Sequence, residues 1–427
     1  MNANKFYGHF VVITLGVLML SSSLLFSQQI KKSGRYYVST ITKNFTVKQG
    51  GSLRVHDVRG DVRVTTWDKN AVFIREHKKM DVYTEAEAKT VLKKSQSGYS
   101  FQNNVVEIAG ENHRRDWIKS KFDIQVPHVF NVEIQTNGGD IEVDALQGDV
   151  EMKTSGGDIS LQDIDGMITG NTSGGDITII KAMKEVTVNT SGGDIDLSAV
   201  QGPVQANTSG GDIRVKDMGE KLKLHTSGGD LELVDIKGSV AASTSGGDIE
   251  VNHVDGNVEI KTSGGDMDIR EVGGTLDAST SGGDISASVI NGFTRVKTSG
   301  GDIEVQGLNG GIEAKTSGGD ISVEMTLSDF RKDHHANLRT AGGKVMLTIP
   351  AKLPATIHAE IDNSDRWEDY NIYSDFPLTS SEEQSESESS RRHKRSRYIR
   401  SDGKINGGGD LIEIYTTNGD IHIRKAK

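Results

Sequence analysis

Eleven aspartates recur at one spacing: Asp140, Asp158, Asp176, Asp194, Asp212, Asp230, Asp248, Asp266, Asp284, Asp302 and Asp320, each 18 residues after the last. A row of carboxylates could ligate calcium, or supply the acid and base of glycoside hydrolysis. Calcium takes six to eight oxygens, and one carboxylate per repeat falls short. The nine-residue half-period resembles the calcium-binding nonapeptide repeat, but that motif carries its acid in both halves. Here the second half holds Gly148, Gly166, Gly202 or Gly256 with no fixed acid after it. The simpler expectation is that each Asp caps its own turn by accepting backbone N–H groups. Weak divalent-cation binding along the column stays open. Hydrolysis needs a local cluster of unlike groups, whereas these acids repeat uniformly. The residues therefore define no catalytic, cofactor-binding or metal site.

Each Asp lies in the phrase Thr-Ser-Gly-Gly-Asp-Ile, with Asn137, Leu231 and Met267 as the departures. In the unit Thr244 to Lys261, Ile249 and Val251 alternate with polar residues; Val254, Gly256, Val258 and Ile260 follow. Alternation with period two marks a strand buried on one face. The pattern predicts an all-β chain: a parallel β-solenoid, β-helix-like, of 18-residue coils with two short strands per coil, capped at both ends. At the ordinary strand spacing the regular part spans about 48 Å. Alternation points each Thr inward, where a stacked column can satisfy its hydroxyls. The glycine pairs are expected to supply φ > 0 at the corners.

The flanks differ. Residues 1–27 read as a signal peptide: Lys5, an apolar run from Phe10 to Phe26, and a small residue, Ser27, near which cleavage is expected. An uncleaved membrane anchor is the alternative. Residues 28–135 are expected to form an N-terminal cap with strands and one short helix over Thr84 to Ser95, Thr84 being the N-cap. Regular coils fill 136–327, and 328–427 form C-terminal cap coils. A six-residue insertion between Thr316 and Thr340 carries His334 and His335, read as a solvated loop rather than a metal site. Residues 379–403, Ser/Glu-rich and then Arg/Lys-rich, read as a disordered charged loop. A polyanion-binding patch at Arg391–Arg400 is its functional alternative. The repeat phrase returns at Gly407 to Ile414 and Thr417 to Ile423 to finish the rod.

Charge narrows the function. Residues 136–327 hold 13 Lys/Arg and 32 Asp/Glu, a net of −19; the rest of the chain has 36 against 28, or +8. Such a rod repels nucleic acid along its length. It contains no Trp or Tyr and only Phe293, which disfavours sugar binding on the shaft. The chain lacks Cys, so thiol chemistry is excluded.

The Thr-Ser-Gly-Gly-Asp-Ile arrays, the lead-in Val132-Glu-Ile-Gln-Thr136, the late Ser374-Asp-Phe-Pro-Leu378, and Ile405-Asn-Gly-Gly-Gly409 before Thr417-Asn-Gly-Asp-Ile421 carry a resemblance. Residues 40–427 resemble the bacterial exported β-strand-repeat family of a domain of unknown function, described as "putative adhesins". The resemblance implies a β-solenoid at the cell envelope without catalytic residues. The expected function is thus non-enzymatic: an exported cell-envelope β-solenoid, adhesin-like or scaffolding, presenting a repetitive acidic surface to an envelope or surface partner, protein or glycan. Contact with a membrane is expected only through an uncleaved signal segment. The alternative is a polysaccharide-acting β-helix enzyme with its site at an irregular end. An ice-binding face is disfavoured because the Thr column points inward. The expected location is the periplasm or cell surface of a bacterium.

Overall fold

The computed structural model describes residues 30–110, 118–363, 369–386 and 395–426. The apolar run 10–26 and the expected cleavage position lie outside them. Each repeat is one coil of two strands, for example Ile249–Val254 and Val258–Lys261. Longer strands stack in one parallel sheet and shorter strands in a second. The register advances by 18 residues per coil: Ile249 pairs with Met267 and Val258 with Leu276. Apolar side chains of both sheets fill one continuous core that runs the length of the rod. A single coil exposes most of its apolar stripe, so stacking supplies the burial.

One column bends each long strand from Ile141–Gln147 to Ile303–Leu308. In the unit above, Asn252 and His253 both face outward before Val254 turns back into the core. His253 has φ 60° and drops out of the ladder, which pairs Asn252 with Arg270 and then Val254 with Val272. The same left-handed conformation recurs at Ala145, Asp163, Lys181, Ala199, Asp217, Asp235, Glu271, Val289 and Gly307. These bulges, not the glycine pairs, carry the positive φ; among the glycines of the eleven regular phrases only Gly138 does so, and in the returning phrase Gly407 and Gly408 do. Val289 is the costly occupant, because a β-branched residue at φ 56° is strained. Its side chain is 50 % exposed and adds little to the core. Val289→Gly is therefore expected to stabilise the protein by about 1 kcal/mol, despite the entropy of glycine. A lower denaturation midpoint for this variant would contradict that account.

Both ends depart from sequence order. Gly51–Val58 and Gly60–Trp67 stack directly on Phe130–Thr136 and Ile141–Gln147. The chain then leaves and returns with Val105–Ala109 and Ile118–Pro127 on their far side. At the other end, Asp410–Thr416 and Ile421–Lys425 slot between Ala336–Arg339 and Val345–Ile349 on one side and Ala355–Asn363 and Ile372–Ser374 on the other. The closing repeat phrase is thus the penultimate layer rather than the tip.

Antiparallel strands finish the stacks. At the N-terminal end, Ala71–Met80, Tyr36–Thr46 and Ile30–Ser33 extend one sheet, and Gly98–Gln102 extends the other. Helix α1, Glu85–Lys94, starts as the sequence predicts: Thr84 Oγ1 accepts from Glu87 N–H at 3.2 Å, and Glu87 Oε2 accepts from Thr84 N–H at 3.3 Å. Its buried face, Ala88, Val91 and Leu92, packs with Tyr37 and Met80.

Residues 379–403 are not a disordered loop throughout. Thr379–Glu386 and Arg395–Ile405 pair as an antiparallel hairpin that continues the sheet from Ala355–Asn363. Residues 387–394 lie outside the described part, and with them most of the basic run. Opposite charges order the described strands: Arg397 pairs with Glu382 at 2.6 Å and Asp369 at 3.0 Å, and Arg400 with Glu360 at 2.7 Å and Glu383 at 3.0 Å. Those carboxylates compete with any polyanion for Arg397 and Arg400.

Candidate functional site

The repeated corner is the one constellation the sequence singles out, and its stacking chemistry is uniform. Each phrase Thr is buried. Thr244 Oγ1 donates to the Gly229 carbonyl of the preceding coil at 2.9 Å and accepts from Gly247 N–H at 3.3 Å. The inward Thr column is thus satisfied both along and within the coils.

The second glycine of each phrase sits where no side chain fits. A Cβ on Gly247 would lie 2.1 Å from the Gly229 carbonyl oxygen, and one on Gly265 2.0 Å from that of Gly247. The first glycine differs: a Cβ on Gly246 meets nothing closer than 3.6 Å. Glycine is needed at the second position for close backbone approach. The expected need for φ > 0 is not the reason.

The aspartates face solvent but do not cap their own turns. Asp158 N–H donates to Asp140 Oδ1 at 3.0 Å, and the same bond links each Asp to the next. Along the column the distance falls to 2.7 Å at Asp302 and Asp320. Lys344 N–H closes the series on Asp320 at 2.9 Å. Each carboxylate therefore staples the next coil to its own, so one oxygen has a fixed partner. This offsets the repulsion of like charges one strand spacing apart. Such a bond joins residues 18 apart, so turn rules based on neighbouring residues do not reveal it.

The second oxygen is available to partners. Arg214 takes it at Asp194 (3.4 Å) and Asp212 (2.7 Å), and Lys344 takes it at Asp320 (3.2 Å). Asp230, Asp248, Asp266, Asp284 and Asp302 have no ion pair among the described residues. Beside the column, on the same outward face, stand Glu232, Glu250, Asp268 and Glu304, two residues on from their aspartates. Glu232 lies 4.0 Å from Arg214, and Asp268 pairs with Arg270. The result is a line of paired carboxylates on one edge of the rod. No group of three or more His, Asp or Glu that could hold a metal occurs among the described residues.

The adjacent histidines separate. His334 is buried, with Nδ1 2.9 Å from the Lys332 carbonyl and Nε2 2.8 Å from the Pro354 carbonyl. His335 stays half-exposed, stacks on Phe293 at 5.3 Å and meets Asp333 at 2.7 Å. The expectation of a solvated loop holds for His335 only. His334 is a packing residue that ties the insertion to the terminal layers, a role that only the returning chain creates.

At the N-terminal end a small, partly open cavity of about 50 Å³ lies between Arg59, Lys78, Ser95, Ser97 and Phe122. It has room for a few waters, not for a sugar.

These features define a capped parallel β-solenoid whose repeated corner is built for stacking. The chain belongs to the Toastrack DUF4097 family, whose profile matches residues 61–234, 167–295 and 237–424. It is a domain of unknown function. A search of curated proteins finds no match. Among solved structures, a "putative adhesin" from Bacteroides fragilis NCTC 9343 is 16 % identical, covers 67 % of this chain and 97 % of its own, and has a TM-score of 0.27. A "putative adhesin" from Parabacteroides distasonis ATCC 8503 is 13 % identical, with 67 % and 97 % covered and a TM-score of 0.25. A "putative lipid binding protein" from the same organism is 11 % identical, with 67 % and 96 % covered and a TM-score of 0.26.

Proposed function

We propose that this protein is a non-enzymatic, exported cell-envelope solenoid, adhesin-like or scaffolding, that holds a repetitive acidic edge toward a cationic partner. The observation that carries this reading is the aspartate column. One oxygen of each carboxylate is committed to the next coil, and from Asp230 to Asp302 the carboxylates have no cation partner among the described residues. Repetition suits weak contacts, because several engaged at once give avidity.

Deleting coils tests the reading. Removing residues 244–261, or 244–279, keeps the 18-residue register and shortens the acidic edge by one or two coils. Retention of the protein on isolated envelopes, or on a cationic peptide array, should weaken in steps with each deletion. Millimolar calcium should compete if divalent cations share the column. Unchanged retention after two coils are lost would remove the edge from the function. Trypsin shaving of intact cells separates the two addresses: cleavage near Arg391 would support the cell surface, and protection until the outer membrane is opened would support the periplasm.

A further inference from the structure

The rod is not uniformly acidic. Residues 28–135 hold 19 Lys/Arg and 12 Asp/Glu, a net of +7, against −19 for residues 136–327. The strand register gathers part of this excess on one face. Four antiparallel strands close one sheet at the N-terminal end: Ile30–Ser33, Tyr36–Thr46, Ala71–Met80 and Ile118–Pro127. Ser39, Ile74, Glu76, Lys78, Phe122 and Ile124 turn into the core. Their neighbours face out. One outward row reads Lys31, Val38, Lys79, Lys119, and the next reads Thr40, His77, Lys121. The third reads Thr42, Arg75, Asp123.

Lys31, Arg75, Lys79, Lys119 and Lys121 are all exposed. Lys31, Lys119 and Lys121 have no ion pair among the described residues. Asp123 is the one acid on these four strands' rows, 3.7 Å from His77, and on the next strand Asp61 stands opposite Lys121. Two aromatic rings are interleaved: Lys79 Nζ stands 3.9 Å from the Tyr36 ring centre, and Arg75 lies 5.5 Å from that of Phe73.

The position of the face in the chain indicates its partner. The apolar run Phe10 to Phe26 precedes it, and Ser27, Gln28 and Gln29 alone separate that run from Ile30 on the edge strand. Three residues span at most about 10 Å. Where the run stays uncleaved, a bilayer that holds it therefore holds this face at its surface. The geometry points to an anionic phospholipid surface as the ligand of this face, with the lysines on headgroup phosphates and Tyr36 and Phe73 at the interface. The same sheet continues into the shaft, where Glu142 follows Arg63, and there the acidic side chains are repelled by the same surface. This docking is independent of the cationic partner proposed for the shaft.

The test uses the full chain with the apolar run retained, floated with vesicles. One set is phosphatidylcholine alone; the other contains phosphatidylglycerol. The apolar segment contributes equally to both, so the difference reads the basic face. Lys79→Glu/Lys119→Glu/Lys121→Glu is compared with Lys153→Glu/Lys261→Glu/Lys315→Glu, which makes the same charge change on the shaft. Each surface lysine contributes roughly fivefold, so losing three already costs about 100-fold of the preference for phosphatidylglycerol, and the new glutamates add repulsion. The shaft variant should retain most of it, and added salt should weaken wild-type binding. Equal binding to both vesicles, or equal loss in both variants, would overturn the proposal. Retention on heparin without preference for phosphatidylglycerol would also overturn it, and would assign the face to an anionic glycan.

Discussion

Gly247→Ala should destabilise the solenoid by about 4 kcal/mol, while Gly246→Ala changes stability by no more than about 0.5 kcal/mol. The two glycines are adjacent in one turn, and neither needs a positive φ. They differ in what lies beneath. The Cβ at residue 247 would meet the Gly229 carbonyl oxygen at 2.1 Å, its carbon at 2.5 Å and Asp230 Oδ1 at 2.6 Å. All three belong to the corner that binds the Thr244 hydroxyl and the Asp248 amide. Relieving the clash means lifting one coil off the next, which breaks both bonds. At residue 246 the nearest atom is an ordinary 3.6 Å away. Denaturant melts of the two variants decide the matter. Equal destabilisation would show that turn conformation, not coil spacing, requires glycine. Because each coil touches only its neighbours, Gly247→Ala should also create a protease-sensitive point at that level of the rod.

The second large effect lies in the N-terminal cap. Glu76 is fully buried between Ile41 and Phe122. Its carboxylate accepts from Ser97 Oγ at 2.7 Å and Tyr99 Oη at 2.6 Å, and lies 3.2 Å from the buried Lys78 ammonium. Lys78 also donates to the Ser95 carbonyl at the end of helix α1. Burial, reinforced by the Glu76 charge, pushes the Tyr99 hydroxyl far above its ordinary range, so it remains a donor. Glu76→Leu leaves an unpaired ammonium and two unmatched hydroxyls in the core, at a cost of about 3–5 kcal/mol. The double variant Glu76→Leu/Lys78→Met should recover much of that loss, since no lone charge remains. Failure of the double variant to recover would show that the hydroxyls, not the ion pair, dominate. Loosening this cluster frees the strand Gly98–Gln102 and the helix, and uncovers the edges of the parallel stack. Glu76→Leu should therefore associate into larger species, seen by light scattering, while the shaft keeps its β signal.

Much of the fold was legible in residue order. The alternation around Ile249 and Val258 and the strict period are local statements about which face is apolar. They predict strands, coil length and the inward threonine. Thr84 marked the helix start, because an N-cap and the turn it caps lie within four residues; Glu87 completes a capping box in the structure. The reading of 379–403 failed for a related reason. Its composition cannot build a core, but the strand Ala355–Asn363 offers an open edge, and opposite charges across the hairpin fill it.

The candidate site was legible only as an array. The sequence by itself determined that this protein is a stack of equal coils with an aspartate and two glycines at each corner. The tertiary structure alone decided what those residues do: the aspartate binds the next coil's amide, the second glycine clears the previous coil's carbonyl, and the left-handed bulge falls at residues such as His253 and Val289. It also decided the order of layers at both ends. Residues 410–425 bury the same apolar faces whether they end the rod or enter it. Their actual place depends on the long strand and hairpin that finish the outer edge. Contacts between coils join residues 18 or more apart, and no local pattern of side-chain polarity records which backbone atom will lie beneath them.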